Sequence, residues 1–270
     1  MKKILIMLLL LATSVFAEAE DKWKISLGGM YVTSFETEIQ LGRSGSPVAA
    51  KLNTNEQLGM DYETNVFRLD GYYRFTDNHS VDFTYFSVRS DGGRTINASI
   101  PNWGENNDTI DAGATVSSYF NMDVYKINYV YSFYHNEDVE LALSAGLHIT
   151  SIDLGLSAQG SINGVPGEKL ATSSSLTIPL PVIGFRGEYT VIDKTLFVQY
   201  KADYFYLSFD DFKGSLISST INIEYRFLEN YGAGLGFNSN NLSLTADDGN
   251  TRVDVTNDLS GLMFYVSYIY

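Results

Sequence analysis

"GLMFYVSYIY" closes the chain at residues 261–270. In an extended strand Leu262, Phe264, Val266, Tyr268 and Tyr270 share one face, and Gly261, Met263, Tyr265, Ser267 and Ile269 share the other. One face is continuously apolar up to the terminal residue. A strand of this kind needs cover, from a helix, a second sheet or lipid.

The same ending recurs upstream. "YRF" at 73–75, "YSF" at 131–133, "YTV" at 189–191 and "YRF" at 225–227 repeat its Tyr-x-apolar form. Each is followed by a short turn ("TDNHS", "YHNED", "IDK", "LEN") and then by another alternating run. Five descending strands, each with an ascending partner, make ten. The opposite connections are longer and more polar, at 37–61, 90–113, 158–171, 210–213 and 246–258. Short turns at one end, long loops at the other and aromatics ringed at the short-turn level predict an all-β transmembrane up-and-down antiparallel β-barrel. It has ten strands, with eight as the alternative. Closure leaves no strand edge in lipid.

Parity assigns the faces. Phe67, Leu69, Tyr73 and Phe75 oppose Arg68, Asp70, Tyr72 and Arg74; Ile221, Ile223, Tyr225 and Phe227 oppose Asn222, Glu224 and Arg226. Apolar-out and charged-in is the inverse of a soluble β-protein.

The bulk properties agree. "MKKILIMLLLLATSVFA" has two lysines, an apolar run too short to span a bilayer and small residues before residue 18. Residues 1–17 are read as a cleaved signal peptide, and 18–270 as a single outer-membrane β-barrel domain. No cysteine is present, which removes thiol chemistry, disulfides and a lipoprotein anchor. The formal net charge of −14 with no basic patch argues against nucleic acid.

The signal peptide, the alternating strands and the terminal aromatic resemble the small outer-membrane β-barrel proteins of Gram-negative bacteria, broadly the outer-membrane protein A and W type. The resemblance implies a place in the bacterial outer membrane, with lipid and lipopolysaccharide as surroundings. It also implies the outer-membrane assembly machinery as the reader of Leu262, Phe264, Val266, Tyr268 and Tyr270. No cofactor and no metal site is expected, and the chain is expected to be a monomer.

The inward charges nearly balance: Lys24, Arg68, Arg74, Lys126, Arg186, Lys201 and Arg226 against Asp70, Asp82, Glu140, Glu188, Asp203 and Glu224. Confined charges must pair, so the first expectation is a salt-bridged plug, with a gated conduit as its rival. Gly232, Gly234 and Gly236 share one face and could leave a cleft. Toward the long loops Ile152, Leu154, Leu156, Ile178, Leu180, Val182, Phe205, Leu207 and Phe209 take the inward phase. These would line an apolar pocket for a small hydrophobic molecule, unless bulges near Pro179 and Pro181 turn them away.

Histidine limits the enzyme readings. His79 and His135 lie in short turns. His148 shares a face with Ser144, four residues away and so about 13 Å distant along a strand. Ten strands also resemble the omptin surface proteases, which use paired Asp residues and an Asp-His pair at the outer rim, but no long loop here holds a histidine. The acidic loops lack the EF-hand pattern. The reading is a non-enzymatic barrel with a structural or surface-contact role; the alternatives are a channel or binding site for a small hydrophobic molecule and, third, a surface enzyme.

Overall fold

The computed structural model describes residues 21–43, 50–53, 60, 65–103, 108–247 and 251–270. The signal-peptide reading falls outside these residues, as does much of the 37–61 connection.

Among the described residues there are thirteen strands: β1 (Trp23–Arg43), β2 (Ala50–Asn53), β3 (Asn65–Thr76), β4 (His79–Thr95), β5 (Ile100–Trp103), β6 (Asp108–Ile110), β7 (Thr115–His135), β8 (Val139–Ile162), β9 (Val165–Ile192), β10 (Leu196–Phe209), β11 (Phe212–Leu228), β12 (Tyr231–Asp247) and β13 (Thr251–Ile269). Ten of them close a ring in the order β1-β3-β4-β7-β8-β9-β10-β11-β12-β13, with β13 returning to β1; β2, β5 and β6 lie outside it. Every pairing in the ring is antiparallel.

The closing seam joins β13 to β1. Tyr270 donates its N–H to the Trp23 carbonyl at 2.9 Å and accepts from the Trp23 N–H at 2.8 Å. The Trp23 ring lies 5.2 Å from that of Tyr268 and 5.9 Å from that of Tyr270. First and last strands are thus locked by backbone and aromatic contacts at the short-turn rim.

The outer face is apolar and bare. Leu27, Phe67, Ile127, Leu143, Ile183, Ile223, Leu235 and Val266 are each between 48 and 66 % exposed, and they come from strands all around the ring. Tyr73, Phe75, Tyr131, Phe133, Tyr189, Tyr225, Phe227 and Tyr270 ring the short-turn end. In water such a belt would be an aggregation hazard; in a bilayer it is the lipid contact.

The strands outrun the bilayer, which a tilted strand crosses in about 9–11 residues. The expected connections change as a result: β1 runs to Arg43 and β4 to Thr95, β2 lies inside 37–61 and β5 and β6 inside 90–113, and β10 ends at Phe209 with β11 beginning at Phe212. The 158–171 stretch is no loop: β8 and β9 stay paired to Ile162 and Val165 and turn tightly at Asn163-Gly164, both at positive φ (52° and 77°), as a two-residue Asn-Gly hairpin requires. Likewise β13 begins at Thr251, inside the stretch expected to be a 246–258 loop. Cross-strand pairing carries both hairpins into water, where polar outward side chains cost nothing.

From the level of Ile149 to the Asn163 tip, the β8–β9 hairpin projects roughly 35 Å, at ~3.3 Å per residue and a tilt of ~40°. Between β4 and β7, β6 pairs with β8, and β5 pairs with β6. Asn163 accepts from the Thr109 N–H at 2.7 Å and donates to Asp108 at 2.8 Å. Asp111 accepts from the Ser161 hydroxyl at 2.5 Å and the Gly164 N–H at 2.8 Å. Ile96, Ile100 and Ile110 share one buried cluster with Ala158, and Ile162, itself buried, pairs with Ile110.

Candidate functional site

The lumen is the candidate site, and it is built in layers. At the short-turn end a polar vestibule of about 1100 Å³ opens between the turns. Arg74 holds Glu140 at 2.7 Å, and the Ser132 hydroxyl donates to the same carboxylate. Arg226 meets Asp21 at 2.8 Å and Glu224 at 3.6 Å, while Lys24 pairs with Glu224, which is wholly buried. Glu188 accepts from Gln199 at 2.7 Å.

Deeper, Arg68 binds Asp70 through two nitrogens at 2.6 and 2.9 Å, and Thr84 donates to Asp70 at 2.7 Å. Across the centre Arg186 bridges Asp82 at 2.8 Å and Asp203 at 2.7 Å. Asp203 also meets Lys126 at 3.4 Å, Lys126 donates to Ser218 at 2.5 Å, and Asn128 donates to Asp82 at 2.8 Å. Contacts therefore join β4, β7, β9, β10 and β11 across the barrel. Twelve of the thirteen charges singled out in the sequence enter a hydrogen bond or ion pair; Lys201 lines the vestibule with no ion pair among the described residues.

Above the charges the inward face turns apolar on strand after strand. Met30, Val32, Phe35, Phe86, Val88, Phe120, Met122, Val124, Leu259 and Met263 are buried together. The Phe35 and Phe120 rings meet edge-on at 5.3 Å, and Arg68 lies 5.4 Å from the Phe86 centroid, which joins the two layers. The sequence reading missed this half of the stopper. Its signal was available: the parity that makes Asp82 and Lys126 inward also makes Phe86, Val88, Phe120, Met122 and Val124 inward. Phe35 was hidden, because a bulge between Val32 and Ser34 shifts the phase of β1.

The nine residues expected to line one apolar mouth are divided. Ile152 and Leu154 pack into the Phe86–Phe120 cluster, whereas Ile178, Leu180, Val182 and Phe205 form a second cluster with Leu216, Leu242 and Leu244. Leu207 and Phe209 stand at the rim, 44 and 74 % exposed. The side chain of Leu156 lies outside the described residues.

The expected glycine cleft on β12 is filled. Tyr265, on the neighbouring strand, lays its ring over Gly234 so closely that a Cβ there would come within 2.2 Å of Tyr265 Cζ. Glycine here makes room for an aromatic instead of leaving a void. His148 is buried at 2 % exposure beside Lys126, while His79 stacks at 6.1 Å on Phe75 in the short-turn aromatic ring. No cluster of metal-ligating side chains occurs among the described residues.

No family model and no curated protein matches the chain. Among solved structures it is similar to the outer membrane protease OmpT of Escherichia coli, with a TM-score of 0.58 at 11 % identity over 96 % of this chain and 100 % of that one. The fold is that of an outer-membrane β-barrel. Weaker overlaps are with Ail of Yersinia pestis (TM-score 0.29, 12 % identity, 91 % of this chain and 99 % of that one) and the toluene transporter TodX of P. putida (0.34, 10 %, 96 % and 92 %). The bare apolar belt, on a closed barrel of this fold, is that of a protein of the bacterial outer membrane.

Proposed function

We propose that the protein is a closed, non-catalytic outer-membrane barrel that acts at the cell surface through its projecting β8–β9 hairpin. One observation carries this reading: above its vestibule the lumen is crossed by a charge network and then by a packed apolar layer, while the hairpin is braced outside by residues of 96–103 and 108–114. A barrel built to pass solutes keeps a hydrated path through its centre. A histidine-dependent protease reading has no support either, since the three histidines sit in the lumen and at the short-turn end.

The bilayer lipids, lipopolysaccharide and the assembly machinery are the partners this reading requires, with the terminal strand as the assembly signal and a single chain as the working unit. The test replaces residues 154–176 with a short Asn-Gly turn and compares adhesion of cells displaying either form. Intact assembly with lost adhesion is the expected result; unchanged adhesion would remove the hairpin from the function. Binding of a small hydrophobic molecule is the second reading, favoured by the apolar cluster around Leu180 and Phe205. An apolar molecule released by solvent extraction of the purified protein is its test.

A further inference from the structure

The barrel wall is not closed over its whole height. β9 and β10 pair from Ile192 and Leu196 up to Ile183 and Tyr204, and no further. Both strands nonetheless run on: β9 stays bonded to β8 as far as Val165, and β10 stays bonded to β11 as far as Phe209. In the same register the pairs above would be Val182 with Phe205, Pro181 with Tyr206, Leu180 with Leu207 and Pro179 with Ser208.

Neither proline has an N–H to give. The β8–β9 ladder passes unbroken through both, opposite Leu147 and Ile149. A proline fits an antiparallel ladder only at a pair whose amides point away from that partner. The missing donors are therefore those that would have met β10. At each of two successive hydrogen-bonded pairs the proline removes one of the two bonds, and the β9–β10 ladder ends below them.

The lips of this notch, Ile183, Tyr204 and Tyr206, are 66, 48 and 64 % exposed and continue the lipid-facing belt. Its floor is apolar: Leu180, Val182 and Phe205 are buried against Leu216 and Leu242. An open strand edge in pure hydrocarbon is costly, so the notch sits where polar groups reach it, at headgroup level. The polar groups of a bilayer lipid arrive there with acyl chains attached. We infer that the β9–β10 notch is a lipid slot, in which an acyl chain lies between the two strands against Phe205, Leu180 and Val182, with the lipid's polar end facing the open edges. The slot opens sideways and goes beyond the closed-lumen reading, which neither requires nor forbids it.

The chain has only two tryptophans, Trp23 and Trp103, so with both replaced by phenylalanine a single reporter can be placed at will. The full-length barrel carrying Phe205→Trp is reconstituted in vesicles of phosphatidylcholine brominated along its acyl chains. Two controls are the outward Tyr204→Trp and Phe120→Trp, which is equally inward but on a fully paired wall. Bromine quenches tryptophan only at short range, so quenching reports an acyl chain beside the reporter. Phe205→Trp is expected to be quenched about twofold or more beyond Phe120→Trp and close to Tyr204→Trp. Restoring the donors with Pro179→Val and Pro181→Val should return it to the Phe120→Trp level. Quenching of Phe205→Trp no greater than that of Phe120→Trp would overturn the slot, and so would quenching that the valines leave unchanged.

Discussion

Asp203→Asn tests the stopper at its centre. The carboxylate is 5 % exposed and serves two cations, Arg186 at 2.7 Å and Lys126 at 3.4 Å. Asparagine keeps the shape and removes the charge. Arg186 retains Asp82 at 2.8 Å, but Lys126 retains only the Ser218 hydroxyl at 2.5 Å. A buried ammonium is left without a counter-ion, a change that costs about 3–5 kcal/mol, against about 0.2–1 kcal/mol for a solvated pair. The assay is denaturant unfolding of the barrel in lipid vesicles, extrapolated to zero denaturant. Adding Lys126→Met removes the stranded charge and should recover ~2 kcal/mol or more. A single-variant loss below about 1 kcal/mol with no recovery in the double variant would mean that water reaches the layer and screens it, and the stopper argument would fail.

Three further perturbations probe other parts of the account. Ile223→Arg, on the lipid face, should destabilise the vesicle-bound barrel by roughly 2–4 kcal/mol, whereas Asn222→Ser beside it should cost far less; equal costs would contradict the facing assignment. Gly234→Ala should cost about 1–3 kcal/mol by driving a Cβ into the Tyr265 ring, and Tyr265→Ala should relieve that penalty in a double-variant unfolding cycle. The hydrogen bond from Ser161 and then the Gly164 N–H hold the Asp111 carboxyl below the usual carboxylate range. Because the folded pKa is depressed, this contribution is present above about pH 4 and is lost as pH falls through the folded value. The protection of the Gly164 amide against exchange, taken relative to the intrinsic rate at each pH, should accordingly stay high at neutral pH and fall on acidification, and in Asp111→Asn it should lose that pH dependence.

The strand count and the inside-outside assignment were legible because both are local. A Tyr-x-apolar ending repeats five times, and a period of two makes each charge point away from its apolar neighbours. Which charges meet was not legible: Asp82, Asp203 and Arg186 lie on three strands, and only the barrel's closure brings them together. Simple parity from Lys24 turns Phe35 outward, and the extra residue at the β1 bulge reverses it. Length misled in the outer half, where polar composition at 158–171 suggested a loop although the strand ladder continues to an Asn-Gly turn. Pro179 and Pro181 did mark an irregularity in advance. Its form, a parting of β9 from β10, depends on which neighbour their missing amides face.

The most direct test of the closed lumen is single-channel conductance of the folded protein in a planar bilayer. No reproducible openings are expected at neutral pH, because the charge layer and the Phe35–Phe120 layer block the axis in series. Steady, voltage-independent openings in the wild-type barrel would contradict the closed lumen and would make the paired charges the lining of a conduit.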